Sequence, residues 1–585
     1  MKLKYLASVV LACGMLSSCD YTDLNPMSGF TDGSYWNSVQ DLQLYANGLM
    51  GNFGGATWTA GNESDDFVTS DISSYLFNTM VLDDASGWDW TVVRNCNFFL
   101  ARYDRVQGDE AEINNYVAIV RMIRANDYYN KIRRFGDVPW YDKDLQTNDT
   151  EELYKARDPR NFVLGKIIED LQFAAKWLPT RGNTTVGYPS RDAAKALLSR
   201  ICLYYGTYMK YHNEAANNGY GAEDLLKLAA QYSGEIMATG DYAIPAGTDA
   251  GADVVSYAEY PLPYSNQFIQ NDLQSNKETI FARYYALDLV THEVGRAATE
   301  AAQGLTKAFV ESYLMKDGTP IYNEGSGYQG DDTYEHEFAN RDPRMYQTVG
   351  SKDRIFWSTN EGGEEPTPYA VFINTAVTGY QSWKFHSSNR DQWQPRSSFF
   401  DWFFYRYGEV LLINAEANYE LGSCTQTVLD NTINLLRDRV GMAHLTTSPV
   451  ADAKPLDYGY AVDPLLYEIR RERRVEMVNE GQRLDDLKRW NAMKLLEDPK
   501  TMLGIRVSPE MQAVFNDAQA GIDFTQVGTL EYDGNTYVAA YPNQGLYPAG
   551  RKWTADDKRW LYPIPLQQTV LNPNLKQNPG WTQGN

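Results

Sequence analysis

Long apolar runs, cysteines, histidines and cations are all scarce in this chain of 585 residues. Past the N-terminal leader, no segment has the 18 or so uninterrupted apolar residues of a membrane-spanning helix. Of the five cysteines, Cys96, Cys202 and Cys424 lie beyond residue 19. They are odd in number and none sits in a C-x-x-C or similar spacing, which supports neither a disulfide framework nor a zinc site. Cys202 falls in an apolar stretch and reads as a small buried side chain. Lys and Arg number 53 against 76 Asp and Glu, a formal net charge of −23. So acidic a surface repels phosphate backbones and anionic lipid. It excludes nucleic acid as a partner and disfavours strongly acidic polysaccharides as nonspecific ones.

Catalytic signatures are missing too. The five histidines (212, 292, 336, 386 and 444) show no spacing that demands chemistry, and His-Glu-x-x-His is absent. Glu335-His336-Glu337 reads as a surface histidine. No Gly-x-Ser-x-Gly elbow and no Walker or Rossmann glycine pattern occurs. A glycosidase needs two carboxylates about 5–10 Å apart across a cleft. With 76 acids, neighbours such as Asp65-Asp66, Asp331-Asp332 and Asp485-Asp486 arise by chance. The expectation is a protein that is not an enzyme, with no catalytic residue, metal or cofactor.

Aromatics are abundant instead: 42 Tyr, 22 Phe and 14 Trp. Such rings bury much area, and Tyr and Trp add a polar handle that suits ligand surfaces. The N-terminus carries a second positive signal. Lys2 and Lys4 precede an apolar stretch, Tyr5 to Leu16, too short to span a bilayer. It ends Leu16-Ser-Ser-Cys19, which resembles a lipoprotein signal whose cysteine becomes the acylated first residue. Val10-Leu-Ala-Cys13 is a rival, but it leaves an apolar core below the roughly 7-residue minimum. Residues 1–18 are therefore expected to leave as a signal peptide and Cys19 to be lipidated, with the polar, turn-rich 19–35 as a tether. Loss of Lys2 and Lys4 makes the mature chain two charges more acidic.

Ser38 caps a predicted helix through Leu42 and Leu49. Ile113 to Ile132 follows and is stopped by Gly136 and Pro139. Further helices are predicted at about Arg160 to Trp177, from Ser190 through Tyr205, and at Leu225 to Met237 as the antiparallel partner of the last. Leu305 to Met315, Tyr407 to Leu421, Thr427 to Val440 and Pro464 to Leu496 complete the set. Helices in pairs suggest a repeat frame, although no fixed period of about 34 residues relates them. The final helix places its charges oddly. Leu465, Leu466 and Ile469 mark a face that also holds Arg473, Glu476 and Glu480, while Val475 and Val478 lie roughly opposite. A carboxylate on a packed face persists only when paired. Glu472, Glu476, Glu480, Arg473 and Arg483 therefore read as ion pairs clamping neighbouring helices, the alternative being a solvated charged helix. Asp485 can pair with Arg489 at i+4, and Gly481 would let the helix bend or a backbone come close. Long irregular segments, 241–301, 317–405 and 499–560, separate the helices and include strand-like pieces such as Tyr369-Ala-Val-Phe-Ile373. Their aromatic content argues against disorder, which makes them candidate ligand-facing surfaces.

Several motifs occur in a particular order. They are Arg124-Ala-Asn-Asp-Tyr128 with Phe135-Gly-Asp-Val-Pro139, Ile168-Glu-Asp-Leu171 with Leu178-Pro179, and Ala193 to Tyr204. Arg406-Tyr-Gly-Glu-Val-Leu-Leu-Ile-Asn-Ala-Glu-Ala417, Ile433 to Gly441, Ile469 to Trp490, Tyr562-Pro-Ile-Pro565 and Gln577-Asn-Pro-Gly-Trp581 follow. Together they resemble the SusD/RagB family, with Gly408 where Ala is usual and Met477 where Leu is usual. The resemblance implies a mainly α fold. Tetratricopeptide-like helix pairs would form a right-handed superhelical frame with long irregular loops and a few short strands. It implies one domain over 36–585, its frame at about 36–240 and 406–498 and its ligand-facing segments at about 241–405 and 499–560. It further implies a lipoprotein on the outer face of the outer membrane that binds an oligosaccharide or polysaccharide. The partner would be a SusC-like TonB-dependent transporter, which the protein covers as a lid. Peptide capture, as in some family members, is the second reading and a secreted glycoside hydrolase the third. The matching motifs locate the frame and leave the ligand open.

Sugar rings offer C–H faces to Trp and Tyr, while their hydroxyls need Asp, Asn, Gln or Arg. Two such mixtures lie outside the strong helices: Asp65-Asp66 with Trp88-Asp-Trp90 and Asn95, and Trp357, Trp383-Lys384 and Asn389-Arg390-Asp-Gln-Trp393. Tyr284-Tyr285 is a third. The expected ligand residues are thus Trp88, Asp65, Asp66, Tyr285, Trp357, Trp383, Arg390 and Trp393. For each tryptophan the alternative is packing between loop and frame, since Trp is highly buried on average. Trp90, beside Val92 and Val93, reads as the packing member of its pair and Trp88 as the ligand member. In the family, ligand aromatics often come from a loop before the first repeat helix.

Overall fold

The computed structural model describes residues 32–58, 63–216, 219–245, 263–300, 302–350, 355–357, 367–368, 377–517 and 527–581. The predicted signal peptide, Cys19 and Tyr369 to Ile373 lie outside them. Helix α1 (Val39–Leu49) starts at Ser38, whose hydroxyl accepts from the Asp41 N–H. Asp41 in turn accepts from the Ser38 N–H at 2.9 Å, a reciprocal capping box. After α2 (Thr91–Leu100) comes α3 (Glu110–Phe135), capped by Asp109, which accepts from the Ala111 and Glu112 N–H groups. Gly136 ends α3 at φ +74°, a conformation side chains resist. A Cβ there would also stand 2.8 Å from Leu561.

Helices α4 (Arg160–Trp177), α5 (Arg191–Tyr211) and α6 (Ala222–Ala238) continue the frame. In succession α3 packs on α4, α4 on α5 and α5 on α6, the tetratricopeptide-like arrangement expected. Cys202 is fully buried in α5. Helix α7 (Tyr407–Glu420) lies against α5 and α6 and receives α8 (Ile433–Val440) and α9 (Pro464–Glu476). Among the described residues, no helix is long and apolar enough to cross a membrane.

The strands are short. Antiparallel pairs join β1 (Phe67–Thr69) to β3 (Gln303–Leu305), and β2 (Thr279–Arg283) to β6 (Trp402–Arg406). A third pair joins β4 (Ile355–Trp357) to β5 (Thr367–Pro368). A small sheet runs β7–β9–β8, from Leu503–Arg506, Asn535–Ala539 and Thr529–Tyr532. Within the predicted helix Leu305 to Met315, Leu305 belongs to β3 and only Lys307–Val310 is α-helical. The predicted Thr427 to Val440 helix is interrupted at Thr432, where ψ is −92°.

Helix α9 is buried along Leu465 to Glu476 and joins two separate cores, as its two apolar faces require. Leu465 and Ile469 sit in the main core, Val475 and Val478 in a second one with Phe309, Tyr313 and Ile505. Its charges are paired. Glu472 accepts from Arg437 at 2.9 Å and Arg344 at 2.5 Å. Glu476, 0% exposed, accepts from Arg439 at 2.5 Å, Arg406 at 2.8 Å and Arg344 at 3.2 Å. Glu480 takes Arg406 and Lys384, each at 2.6 Å, and Arg473 takes Asp486 at 2.9 Å. Burial alone would raise the Glu476 pKa; Arg439, Arg406 and Arg344 outweigh it and hold the carboxylate well below its ordinary range.

The predicted helical stretch from Pro464 to Leu496 breaks around Gly481, its expected weak point. Helix α9 ends at Glu476, Asn479 and Gly481 take φ of +60° and +75°, and α10 restarts at Arg483–Arg489. The cause is tertiary. The Glu476 carbonyl accepts from the Tyr264 hydroxyl at 2.6 Å, Arg406 at 3.0 Å and Lys384 at 3.2 Å, and the Val478 carbonyl accepts from Lys384 at 2.9 Å. Remote donors thus occupy carbonyls at the negative end of the helix. The i+4 pair of Asp485 with Arg489 is also absent: Asp485 pairs with Arg133, while Arg489 holds Asp486 and Glu416.

Candidate functional site

Trp88 stands at the entry to α2, after Gly87 at φ +85°. Asp89 steers the turn: its Oδ1 accepts from the Thr91 hydroxyl at 2.7 Å and N–H at 3.0 Å, bonds that hold its carboxyl low. Trp88 is half-buried, edge to face with Trp90 at 5.4 Å and with Phe135, the last residue of α3, at 5.0 Å. Trp90 is wedged edge to face against Tyr128 at 5.9 Å and Tyr141 at 5.3 Å, with Lys131 Nζ 5.1 Å from its ring. Both rings are half-buried and packed on the main core, Trp90 between two further rings and Trp88 against one.

Both rings line a cleft of about 440 Å³ between α2, the 139–154 segment and helix α11 (Leu566–Leu571). Its outer wall is apolar and open: Leu153, Tyr154 and Leu571 are 39%, 48% and 59% exposed. Several polar groups are already committed. Asn97 donates to the Tyr141 carbonyl at 2.8 Å and accepts from Arg124 at 2.8 Å; Lys143 pairs with Glu152 at 3.1 Å. Arg94 and Gln568, by contrast, have no internal side-chain partner among the described residues, and both line the cleft. No carboxylate does, so this wall offers no acid–base pair for glycoside hydrolysis. The arrangement can present ring faces to an apolar ligand surface and free donors to its hydroxyls.

Most other predicted ligand residues stand elsewhere. Asp65 and Asp66 are 1% and 4% exposed and belong to the clamp. Arg483 donates to both Asp65 oxygens at 2.8 Å, and Arg474 Nε to Asp66 at 2.7 Å. For Asp65, burial is outweighed by Arg474 and Arg483, which hold the acid low. Trp383 is 1% exposed and packs on His386 at 4.4 Å. These three are corrections: a buried ring and two saturated carboxylates have nothing to offer a ligand. Tyr285 is also buried, its hydroxyl accepting from the Ala56 N–H at 2.7 Å and its ring edge to face with His292 at 4.7 Å. Trp357 ends β4, and its side chain lies outside the described ones. Arg390 is exposed, and half-buried Trp393 donates to the Thr299 hydroxyl at 2.9 Å under the Arg296 guanidinium. None of these lines the Trp88 cleft.

Sequence reasoning missed Tyr141, Tyr154, Arg94 and Gln568. The run Trp140-Tyr141 after Gly-Asp-Val-Pro139 was an available aromatic signal; nothing local tied Gln568 to it. Among the described residues no group of three or more His, Cys, Asp and Glu could hold a metal ion. His336 is surface-exposed and pairs with Asp332 at 2.8 Å. The three described cysteines are free, Cys96 and Cys202 buried and Cys424 half-buried, with burial pushing the Cys424 thiol up to about 11.

The profile of the SusD family matches residues 268–581, more than half of the chain, and the chain belongs to that family. SusD-like protein P2 of Formosa agariphila is 23% identical over 508 residues, spanning 83% of this chain and 90% of that protein. A SusD-like protein structure from Bacteroides fragilis superposes with a TM-score of 0.67 at 23% identity, covering 94% of this chain and 99% of that one. A SusD-like carbohydrate binding protein from the same organism gives 0.65 at 21%, covering 93% and 100%. At these identities the structural likeness establishes the fold.

Proposed function

We propose that this chain is a non-catalytic glycan-binding lipoprotein. It would be anchored through Cys19 to the outer membrane, face the cell exterior and pass captured saccharide to a SusC-like TonB-dependent transporter. One observation carries the binding half: the Trp88 cleft combines exposed ring and aliphatic surface with uncommitted Arg94 and Gln568 and has no carboxylate in its wall. Family membership, and the carbohydrate-binding protein of similar fold, support the same reading. Calorimetry of the purified chain against a polysaccharide panel tests it. Affinity without release of smaller products is expected. Affinity for peptides alone would replace the glycan with a peptide, and bond cleavage would replace the binder with an enzyme. Labelling with a fatty-acid precursor, lost in Cys19→Ala, checks the anchor, and co-purification with a barrel partner checks delivery.

A further inference from the structure

We propose that a second cleft, walled by the 494–502 turns and the 546–552 segment, binds the anionic group of an acidic saccharide, a carboxylate or a sulfate ester. That the ligand is a saccharide rests on the proposed function; that it carries an anion does not. In a chain of net charge −23, Lys454, Lys494, Lys500, Arg551 and Lys552 line one cavity of about 420 Å³. Of the three carboxylates beside them, only Glu497 is paired with a cleft lysine; Asp457 and Asp498 are oriented by backbone N–H groups and keep their charge. Asp457 accepts from the Gly459 N–H at 2.8 Å, and Asp498 from the Lys500 N–H at 2.9 Å. Glu497 accepts from Lys494 Nζ at 3.0 Å and from the Trp553 N–H at 3.2 Å. Lys500 is held by Glu311 at 2.6 Å.

Lys454, Arg551 and Lys552 form no ion pair among the described residues. Arg551 is the telling one, at 1% exposure. Its Nε donates to the Leu496 carbonyl at 3.1 Å and its Nη2 to the Thr501 hydroxyl at 3.0 Å, while Nη1 has no acceptor. Buried charge is ordinarily paired. Here burial depresses the guanidinium, holding it down at about 10; Tyr541 and Asp65 act against that and offset it only in part. A buried guanidinium with no ion pair of its own, behind two exposed lysines, leaves positive charge that an anion in the cleft could meet. Two rings complete the wall: Tyr547, 68% exposed, and half-buried Tyr532. A pyranose C–H face can rest on them while its acid group meets Lys454 and Lys552. The general acidity of the chain repels polyanions elsewhere, so binding here would be local and specific.

A glycan array tests this with saccharides in matched pairs, each acidic member beside its carboxyl-reduced or desulfated form. The acidic member of at least one pair should bind about tenfold more tightly, a preference that weakens with added salt. Lys454→Ala/Lys552→Ala should abolish the preference at unchanged Tm, both side chains being exposed. Trp88→Ala should lower affinity for both members and leave the preference intact. Equal binding within every pair, or a preference that survives the double lysine variant, overturns the proposal. Inorganic sulfate separates the two readings: if no saccharide binds but sulfate raises Tm in the parent and not in the double variant, the anion site stands and the glycan reading falls. If sulfate is also without effect, both fall.

Discussion

Arginine has opposite fates in two regions of this molecule. Around Glu476, Arg344, Arg406 and Arg439 are sealed from solvent and converge on one carboxylate. In the Trp88 cleft, Arg94 is exposed beside a ring, and no acid shares its wall. The residue type is the same; what differs is whether its partner lies inside the protein. A paired charge on the frame braces it, whereas an unpaired donor beside an exposed ring has capacity left for a ligand. The rule assigns Asp65 and Asp66 to the first class, although they sit in a loop and were expected in the second.

Breaking the brace should have the largest effect. Glu476→Ala takes the shared carboxylate from three buried guanidinium groups, leaving Arg344 to Glu472, Arg406 to Glu480 and Glu278, and Arg439 to Glu278 alone. Urea unfolding should show a loss of about 3 kcal/mol or more. A loss under about 1 kcal/mol would mean the cluster is incidental. Its pH dependence has a definite sign. The Glu476 carboxyl is depressed in the folded state, so its contribution is fully present above the unfolded value near 4.5. That contribution is lost as pH falls toward the folded pKa. The stability gap between the parent and Glu476→Gln should therefore be constant above about pH 5 and narrow below it; a gap that widens in acid contradicts the assignment. Asp65→Asn comes next, at roughly 2–3 kcal/mol, because Arg483 loses its partner while Arg474 keeps Asp66. Its glycan affinity per folded molecule should be unchanged; a variant that stays stable and stops binding would return Asp65 to the site.

The brace was largely legible in the sequence because its evidence is local. Ile469 and Val475 point to opposite sides of one helix, and acids on a packed face imply partners. The partners themselves were not legible: Arg483 meets Asp65 across 418 positions, so a loop Asp-Asp looked like a ligand pair. Gly481 was legible as the weak point of the helix, but what fixes the break was not, since the donors that occupy the Glu476 carbonyl come from Tyr264, Lys384 and Arg406. Trp88 and Trp90 were visible as an aromatic pair before a helix, and both line the cleft. Gln568 and Tyr154 could not, because only the folded chain brings α11 to the 139–154 segment.

Within the cleft, the two tryptophans should separate binding from packing. Trp88→Ala should cost about tenfold in glycan affinity, near 1.4 kcal/mol, and little in Tm. Trp90→Ala should cost about 2 kcal/mol in stability, since its ring is fixed by Tyr128 and Tyr141. Calorimetry and thermal scans on both variants decide it: if Trp88→Ala is the one that unfolds, that ring belongs to the core.

The smallest expected effect is the most diagnostic of how the ligand is read. Arg94 and Gln568 supply donors with no internal partner, so truncating either leaves no orphaned group in the protein and no stability penalty. Arg94→Ala or Gln568→Ala should lower affinity by about threefold to fivefold, up to about 1 kcal/mol, the net worth of one hydrogen bond made from an exposed donor. If both donors address hydroxyls of one ligand and reinforce each other, the double variant should lose less than the two singles summed, because each single already forfeits the shared coupling. Arg94→Lys distinguishes the two roles open to a guanidinium. Full recovery means a point charge suffices; no recovery means that the planar fork is being used, which only a ligand with paired acceptors can exploit.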